Sequence, residues 1–237
     1  MRSSDRDGPD ATDLDEDGPD TTSQAATRRT SDTLRDWRLI KLDRNTPIAV
    51  ATKNPGKFRE LKTLWGSFAP PIIAAGTSYP VVEERGTTYE ANAVLKAATL
   101  AELSDGPALA DDSGIEVEAL DWGPGILSAR SPWPEASDQQ RNAHILAAAD
   151  RNGRAARFVC VCALVVPGFG AVIGRGEVEG LIAAEPRGSS GFGYDPIFFY
   201  PPYNATFAEV PEDKKHAVSH RGRAVGALQS QLSSLVT

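Results

Sequence analysis

Two hydrophobic rhythms divide the chain. Pro47-Ile-Ala-Val-Ala-Thr52 is a short, unbroken apolar run of strand length, and the turn formers Asn54-Pro55-Gly56 follow it. The period then lengthens. Phe58, Leu61, Trp65 and Phe68 recur at steps of three and four, predicting a helix with one buried face and a solvent face carrying Lys57, Arg59, Glu60 and Lys62. The capping-box pattern Thr87-Thr-Tyr-Glu90 predicts a second helix running to about Leu103, because the threonine hydroxyl and the glutamate carboxylate can each satisfy a free backbone N–H. The same pattern at Ser137 to Gln140 predicts a third, ending near Asn152-Gly153. Residues 108–111 and 115–119 read as two strands. Residues 156–166 and 171–183, separated by Pro167-Gly-Phe-Gly170, read as a long antiparallel hairpin, and a last helix is expected over roughly residues 219–236. Helices alternating with strands, plus one long hairpin, predict an α/β fold with a mixed central sheet.

The first 46 residues break both rhythms. They are rich in Asp, Arg, Thr and Ser, repeat Asp-Gly-Pro-Asp, and hold −3 of the net charge of −7. Residues 1–46 are therefore expected to be a disordered, acidic, low-complexity extension, and residues 47–237 the folded domain. The longest apolar-rich stretch, near residues 158–167, is far short of the roughly 20 residues that cross a bilayer. Polar and charged residues follow Met1 where a signal peptide needs an apolar core, so a cytoplasmic location is expected. Cys160 and Cys162, two apart in a strand pattern, would share a face and not bridge each other. The negative net charge argues against nucleic acid as a partner.

Four segments carry candidate chemistry. Thr52-Lys53-Asn54-Pro55-Gly56-Lys57 joins a strand to a helix, where free N–H groups and two lysines would cradle phosphate; an ordinary turn with two surface lysines is the plain alternative. Ala110-Asp111-Asp112-Ser113-Gly114 would place a carboxylate at a strand end for Mg²⁺, with Gly114 making the exit turn and the two acids pointing to opposite faces. Glu84 and Glu90 would add a second acid, and Asn92 and Lys96 share one helix face. Gly191-Phe192-Gly193-Tyr194-Asp195-Pro196 offers an aromatic ring between glycines. Lys215 and Ser219-His220-Arg221-Gly222 supply cations for phosphate and donors for a base edge. His216 and His220 stand four apart, as zinc ligands can, but no companion motif supports a metal there and a surface or substrate-facing role is the expectation. All four segments suit a Mg²⁺-bound nucleoside triphosphate.

In order, the motifs Ala51-Thr-Lys-Asn-Pro-Gly-Lys57 with Glu60, Asn92-Ala-Val-Leu-Lys96, Ala110-Asp-Asp-Ser-Gly114, Pro124-Gly125 with Ser128-Ala-Arg130, Gly191-Phe-Gly-Tyr-Asp-Pro196 and Ser219-His-Arg-Gly222 resemble the Ham1/RdgB family of inosine triphosphate (dITP/XTP) pyrophosphatases. The resemblance implies hydrolysis of ITP, dITP and XTP to monophosphate and pyrophosphate, Mg²⁺ as cofactor, a homodimer, and two lobes around a cleft. Carried over by motif, Thr52, Lys53, Asn54, Pro55, Gly56 and Lys57 would bind the triphosphate with Lys96. Asp112 would be metal ligand and proton acceptor, Glu84 a second metal ligand, and Ser113 a substrate contact. Phe192, Gly193, Tyr194, Asp195, Lys215, His220 and Arg221 would hold the base and the rest of the nucleotide. Leu127 and Ser131 depart from the pattern, which commonly has tyrosines flanking Ser-Ala-Arg and so bears on dimer contacts. A Maf-like pyrophosphatase of other base preference and a non-catalytic nucleotide-binding module are the alternatives.

Overall fold

The apolar run after Pro47 is β1 (Ile48–Val50), the centre of a parallel trio with β2 (Ile72–Ala74) and β3 (Ala108–Val117). A computed structural model of the chain describes residues 42–76 and 79–236. From β3 onward the sheet turns antiparallel, through β5 (Ala155–Val166), β6 (Gly170–Ile182), β7 (Phe198–Tyr200) and β8 (Ala205–Thr206), with the two-residue β4 (Gly123–Pro124) on the far end of β3. The order β2-β1-β3-β5-β6-β7-β8 gives the expected mixed sheet and its long hairpin.

Helices cover both faces. On one lie α1 (Pro55–Trp65) and the C-terminal α5 (His220–Leu232), burying Leu61, Trp65, Val225, Leu228 and Leu232 against Leu109, Leu164 and Val172. On the other lies α2 (Tyr89–Ser104), whose Ala93 and Ala97 meet the small residues Ala108, Ala110 and Ala163. The ends of β3, β5 and β6 continue into a second lobe, where α3 (Asp138–Asn152) and the β7–β8 region close over Ile115, Phe158, Val178, Phe198 and Phe207. Each large apolar side chain buried this way contributes about 1.5–3 kcal/mol.

Several expected boundaries move. Residues 108–111 and 115–119 are one strand to Val117, not two, so Asp111 to Gly114 lie in mid-strand. Asn92, not Glu90, reaches back over the start of α2, and the cap is Thr88, whose hydroxyl accepts from Ala91 N at 3.1 Å. The box at Ser137 and Gln140 forms in both directions. The last helix begins where expected, capped by Ser219, and ends four residues early as α5, and the unexpected seven-residue α4 (Glu212–Val218) precedes it. Most of the expected extension falls outside the described residues, but Leu42 is buried in the α5 cluster and its N–H donates to Leu235 O at 2.9 Å. The folded domain thus reaches back at least to Leu42, because its side chain fills apolar space beside the chain's other end.

Close packing of α5 depends on small residues on β5 and β6. Cys160 and Cys162 face α5 with free thiols, paired across the strands with Gly176 and Gly174. A Cβ on Gly176 would stand 2.3 Å from His220 O, and one on Gly174 2.3 Å from Ala224 O. Gly176→Ala is expected to push α5 outward and to cost about 1–3 kcal/mol, read as a lowered urea midpoint at unchanged slope.

Candidate active site

Between the end of β1, which pairs β3 only through Ala108 and Leu109, and β4, which pairs Glu116 and Val117, one edge of β3 has no strand neighbour among the described residues. Ser128 partly fills that notch, its hydroxyl accepting from Ile115 N at 2.9 Å and donating to Gly125 O at 2.6 Å. Gly114 makes the approach possible, not a turn: a Cβ there would lie 2.1 Å from Gly125 O. A ligand in the notch can reach both faces of the sheet, and successive side chains of β3 point to opposite ones.

Asp111 faces α1 and α5. Its Oδ2 meets Lys57 Nζ at 3.2 Å and accepts from Arg221 Nη2 at 3.1 Å, while its Oδ1, equally buried, has no hydrogen-bond partner. Arg221 also donates from Nη2 to Ser113 Oγ at 3.0 Å, from Nε to Asp111 at 3.4 Å, and from Nη1 to Glu60. Glu60 in turn accepts from Lys215 Nζ at 2.7 Å, which reaches Asp195 Oδ2 at 2.5 Å. Burial opposes the charge on Asp111 and on Glu60, yet the neighbouring cations outweigh it, and both carboxyls are held below their usual range. Burial prevails at Asp195, whose carboxyl is pushed up against the pull of Lys215.

Asp112 faces α2. Its Oδ1 meets Lys96 Nζ at 2.8 Å and its Oδ2 lies 3.4 Å from Asn92 Nδ2, one helical turn away from Lys96. Lys96 also bonds Glu84 Oε1 at 2.6 Å, and Glu84 Oε2 meets Arg130 at 3.2 Å. Burial raises the Asp112 carboxyl, a rise that Lys96 opposes without cancelling. At Glu84 burial is outweighed by Lys96 and Arg130, so its carboxyl is lowered; burial of the Lys96 ammonium is likewise outweighed by Asp112, Asp111 and Glu84, and it holds its proton more tightly than usual. Among the described residues no group of three or more His, Cys, Asp or Glu side chains is placed around a metal. Two hard carboxylates sharing one cation nevertheless suit Mg²⁺, which takes one or two protein carboxylates and completes its shell with phosphate and water.

On the α5 face the notch opens into a cavity of about 140 Å³, walled by Phe158, Phe192, Tyr194, His220, Lys57, Ser113 and Arg221 among others. His220 stacks on Phe158 at 4.5 Å with 14° between the rings. Phe192 stands between Gly191 and Gly193, whose φ values of +76° and +62° few other residues adopt, and its ring lies 5.3 Å from Lys215 Nζ and 5.8 Å from the Arg221 guanidinium carbon. The second lobe holds this loop: Gly193 N donates to Asp138 Oδ2, and Gly193 O accepts from Asn142 Nδ2, both at 3.1 Å.

Of the expected residues, Asn54, Lys57, Ser113, Phe192, Gly193, Tyr194, Asp195, Lys215, His220 and Arg221 line the cavity, whereas Asp112, Lys96 and Glu84 form a separate group on the opposite face. Thr52, Lys53 and Pro55 lie outside the cavity lining, on the β1–α1 turn. The free N–H groups expected of that turn are taken: Asn54 Oδ1 accepts from Gly56 N at 2.9 Å and Lys57 N at 3.1 Å. His216 and His220 are both buried, on different helices, and of the surface or substrate-facing role expected of them His220 has a place in the cavity wall. Glu60, read from its helical position as solvent-facing, is 3% exposed and bonded to two cations. Asp138, Asn142 and Arg130 were not among the expected site residues; Arg130 stood in a quoted motif, but the other two follow a capping box with no signal that their helix meets the cavity.

The model of the Ham1 family matches residues 48–231. The chain is 43% identical over 192 residues to a dITP/XTP pyrophosphatase of Geobacter sulfurreducens, covering 79% of this chain and 96% of that one. It is 45% identical over 192 residues to a dITP/XTP pyrophosphatase of Syntrophobacter fumaroxidans, covering 80% and 83%. Its fold is similar to that of a HAM1 protein from Coxiella burnetii, with a TM-score of 0.71 at 39% identity over 79% of this chain and 98% of that one.

The buried charges fix how stability responds to pH. Burial, then the neighbouring Arg221 and Lys215, hold the His220 imidazole neutral, with a pKa well below its ordinary 6.5. Below about pH 6.5 the unfolded chain therefore takes up a proton that the folded chain refuses, and stability falls as pH falls. Asp111 and Glu60 act in the same direction at lower pH: their contribution is full above 3.8 and 4.5 respectively and is lost as pH drops through their lowered folded values. The raised carboxyls of Asp112 and Asp195 act in the opposite direction. We expect the urea midpoint of the native chain to fall between about pH 7.5 and about pH 5.5, and His220→Gln to reduce that slope. An unchanged slope in the variant would assign the pH response to other groups.

Proposed function

The chain belongs to the Ham1 family, and from that footing we propose that it hydrolyses non-standard purine nucleoside triphosphates, dITP, ITP and XTP, to the monophosphate and pyrophosphate. The observation that carries this reading is the division of labour across β3: a cavity walled by aromatic and cationic side chains on one face, and two carboxylates sharing a lysine on the other. A base fits the first and the metal-bound phosphates the second, with the notch joining them and Lys57, on the first face, reaching the phosphate chain across it.

In this reading water attacks the α-phosphorus, its oxygen forms the new bond, the bond to the bridging oxygen breaks, and pyrophosphate leaves. Asp112, its carboxyl raised by burial, accepts the proton of that water at a carboxylate oxygen. Lys96 and Lys57 bind and neutralise the phosphate chain. Mg²⁺, held by Asp112 and Glu84, would supply further charge neutralisation to the phosphates. Phe192 and His220 pack on the base. Arg221 has five N–H donors and four bonds, so one N–H on Nη1 remains for an acceptor such as a purine 6-keto oxygen. Adenine presents an amino group there, and the mismatch costs about 1–3 kcal/mol per unpaired group.

No helix among the described residues is long and apolar enough to cross a membrane, and the net charge is −7. We place the activity on free nucleotides in the cytoplasm, carried out by a homodimer. Half-exposed Leu127 lines a surface pocket with Leu120, Pro124, Pro132 and His144, and such apolar surface suits a second copy. Leu127→Asp is expected to shift the mass measured by light scattering from dimer to monomer.

Purified protein with Mg²⁺ should release pyrophosphate, not orthophosphate, from dITP, ITP and XTP, with kcat/KM well above that for ATP. Asp112→Asn should lower kcat by roughly 100-fold or more while nucleotide binding persists. Equal turnover of ATP and dITP would remove the base-reading part of the proposal, and near-native turnover by the variant would remove Asp112 from the chemistry.

A further inference from the structure

Asp111 has no role in the reading above, yet its side chain is fully buried between a residue assigned to phosphate and one assigned to the base. Lys57, with a side chain 19% exposed, can be reached by a ligand; Arg221, at 2%, borders the same cavity. Both lean on the same oxygen of Asp111. Oδ2 takes Lys57 at 3.2 Å and Arg221 Nη2 and Nε at 3.1 and 3.4 Å, while the buried Oδ1 takes nothing. A guanidinium and a carboxylate otherwise prefer two parallel bonds, one to each oxygen. Here Lys57 holds the carboxylate in an unfinished version of that fork.

We propose that Asp111 is a positioning residue that couples the two ends of the site: it holds Lys57 when no triphosphate is bound and passes wholly to Arg221 when phosphate draws Lys57 away. Released from Lys57, the carboxylate can turn its unused oxygen to Arg221 and complete the fork. Ser113 and Glu60 already hold the other side of the guanidinium, so the completed fork fixes the direction of its last N–H. Phosphate at one end thereby prepares the base contact at the other. Because binding linkage is reciprocal, a base must favour phosphate by the same factor. The inference rests on the proposed assignment of Lys57 to phosphate and Arg221 to the base.

Calorimetric titration with the two halves of the substrate tests it. Saturating inorganic tripolyphosphate should tighten the binding of inosine to the native chain by about fivefold or more, the lower end of usual coupling between sites. Asp111→Asn should reduce that factor to less than about twofold. Lys57→Met, which leaves Asp111 to Arg221 permanently, keeps the test decisive if the first variant does not fold: it should bind inosine more tightly than the native chain and no longer respond to tripolyphosphate. Coupling that survives Asp111→Asn, or inosine affinity that is unchanged or weaker in Lys57→Met, would overturn the inference. Turnover of dITP by the same preparation separates the two levels. Turnover without coupling overturns the inference alone, and absence of dITP and XTP turnover removes the functional reading and the inference with it.

Discussion

Asp111 and Asp112 lie next to each other in the middle of a strand, on opposite faces of a sheet, and a buried carboxylate without a counter-charge costs several kcal/mol. Three helices supply that charge. Lys57 and Arg221 come from the first turns of α1 and α5, and Lys96 from the middle of α2. A cation in a first turn works against its helix dipole, and the carboxylate it meets restores the balance. Sheet, helix starts and site therefore constrain one another: moving α1 or α5 along the sheet would break the ion pairs that make the two aspartates tolerable. The glycines at 174 and 176 serve the same end, since α5 must come close to bring Arg221 over β3.

The sheet's mixed character and its long hairpin were legible because apolar periodicity there is strong and turn formers interrupt it sharply. The elements that escaped are short. β2, β7 and β8 have three residues or fewer, and α4 has seven, too few to establish a period. The Asp-Asp-Ser-Gly stretch was misread as the end of a strand because four small or charged residues look like a turn. In mid-sheet they persist because cations and a serine hydroxyl satisfy them.

The residues that line the cavity are legible by type and motif, and their pairing is not. Glu60 follows the polar spacing of an exposed helix face, and nothing local distinguishes a solvated glutamate from one destined for Lys215 and Arg221, 155 and 161 residues further on. The N–H groups of the β1–α1 turn suited an anion on paper, but Asn54 caps them with its own side chain, as Asn does at many helix starts. What remains for phosphate at that turn is the lysine charge.

Three lysines of the site are already engaged. Lys57 is paired with Asp111, Lys96 with Asp112 and Glu84, Lys215 with Glu60 and Asp195. Counting Arg130 and Arg221, five cations face five carboxylates, so the charges of these ten groups balance. In the proposed function a triphosphate therefore meets Lys57, Lys96 and Lys215 already paired. In the proposed function a phosphate contact to Lys57 or Lys96 replaces an existing ion pair, and the net gain is the difference between two similar interactions. Such a site gains little from an anion of the wrong shape. It also calls for an additional positive charge, since carboxylates deprived of their lysines are left facing phosphate. In the proposed function a divalent cation held by Asp112 and Glu84 would offset that repulsion, and the pairing within the site would then be a physical reason for needing one.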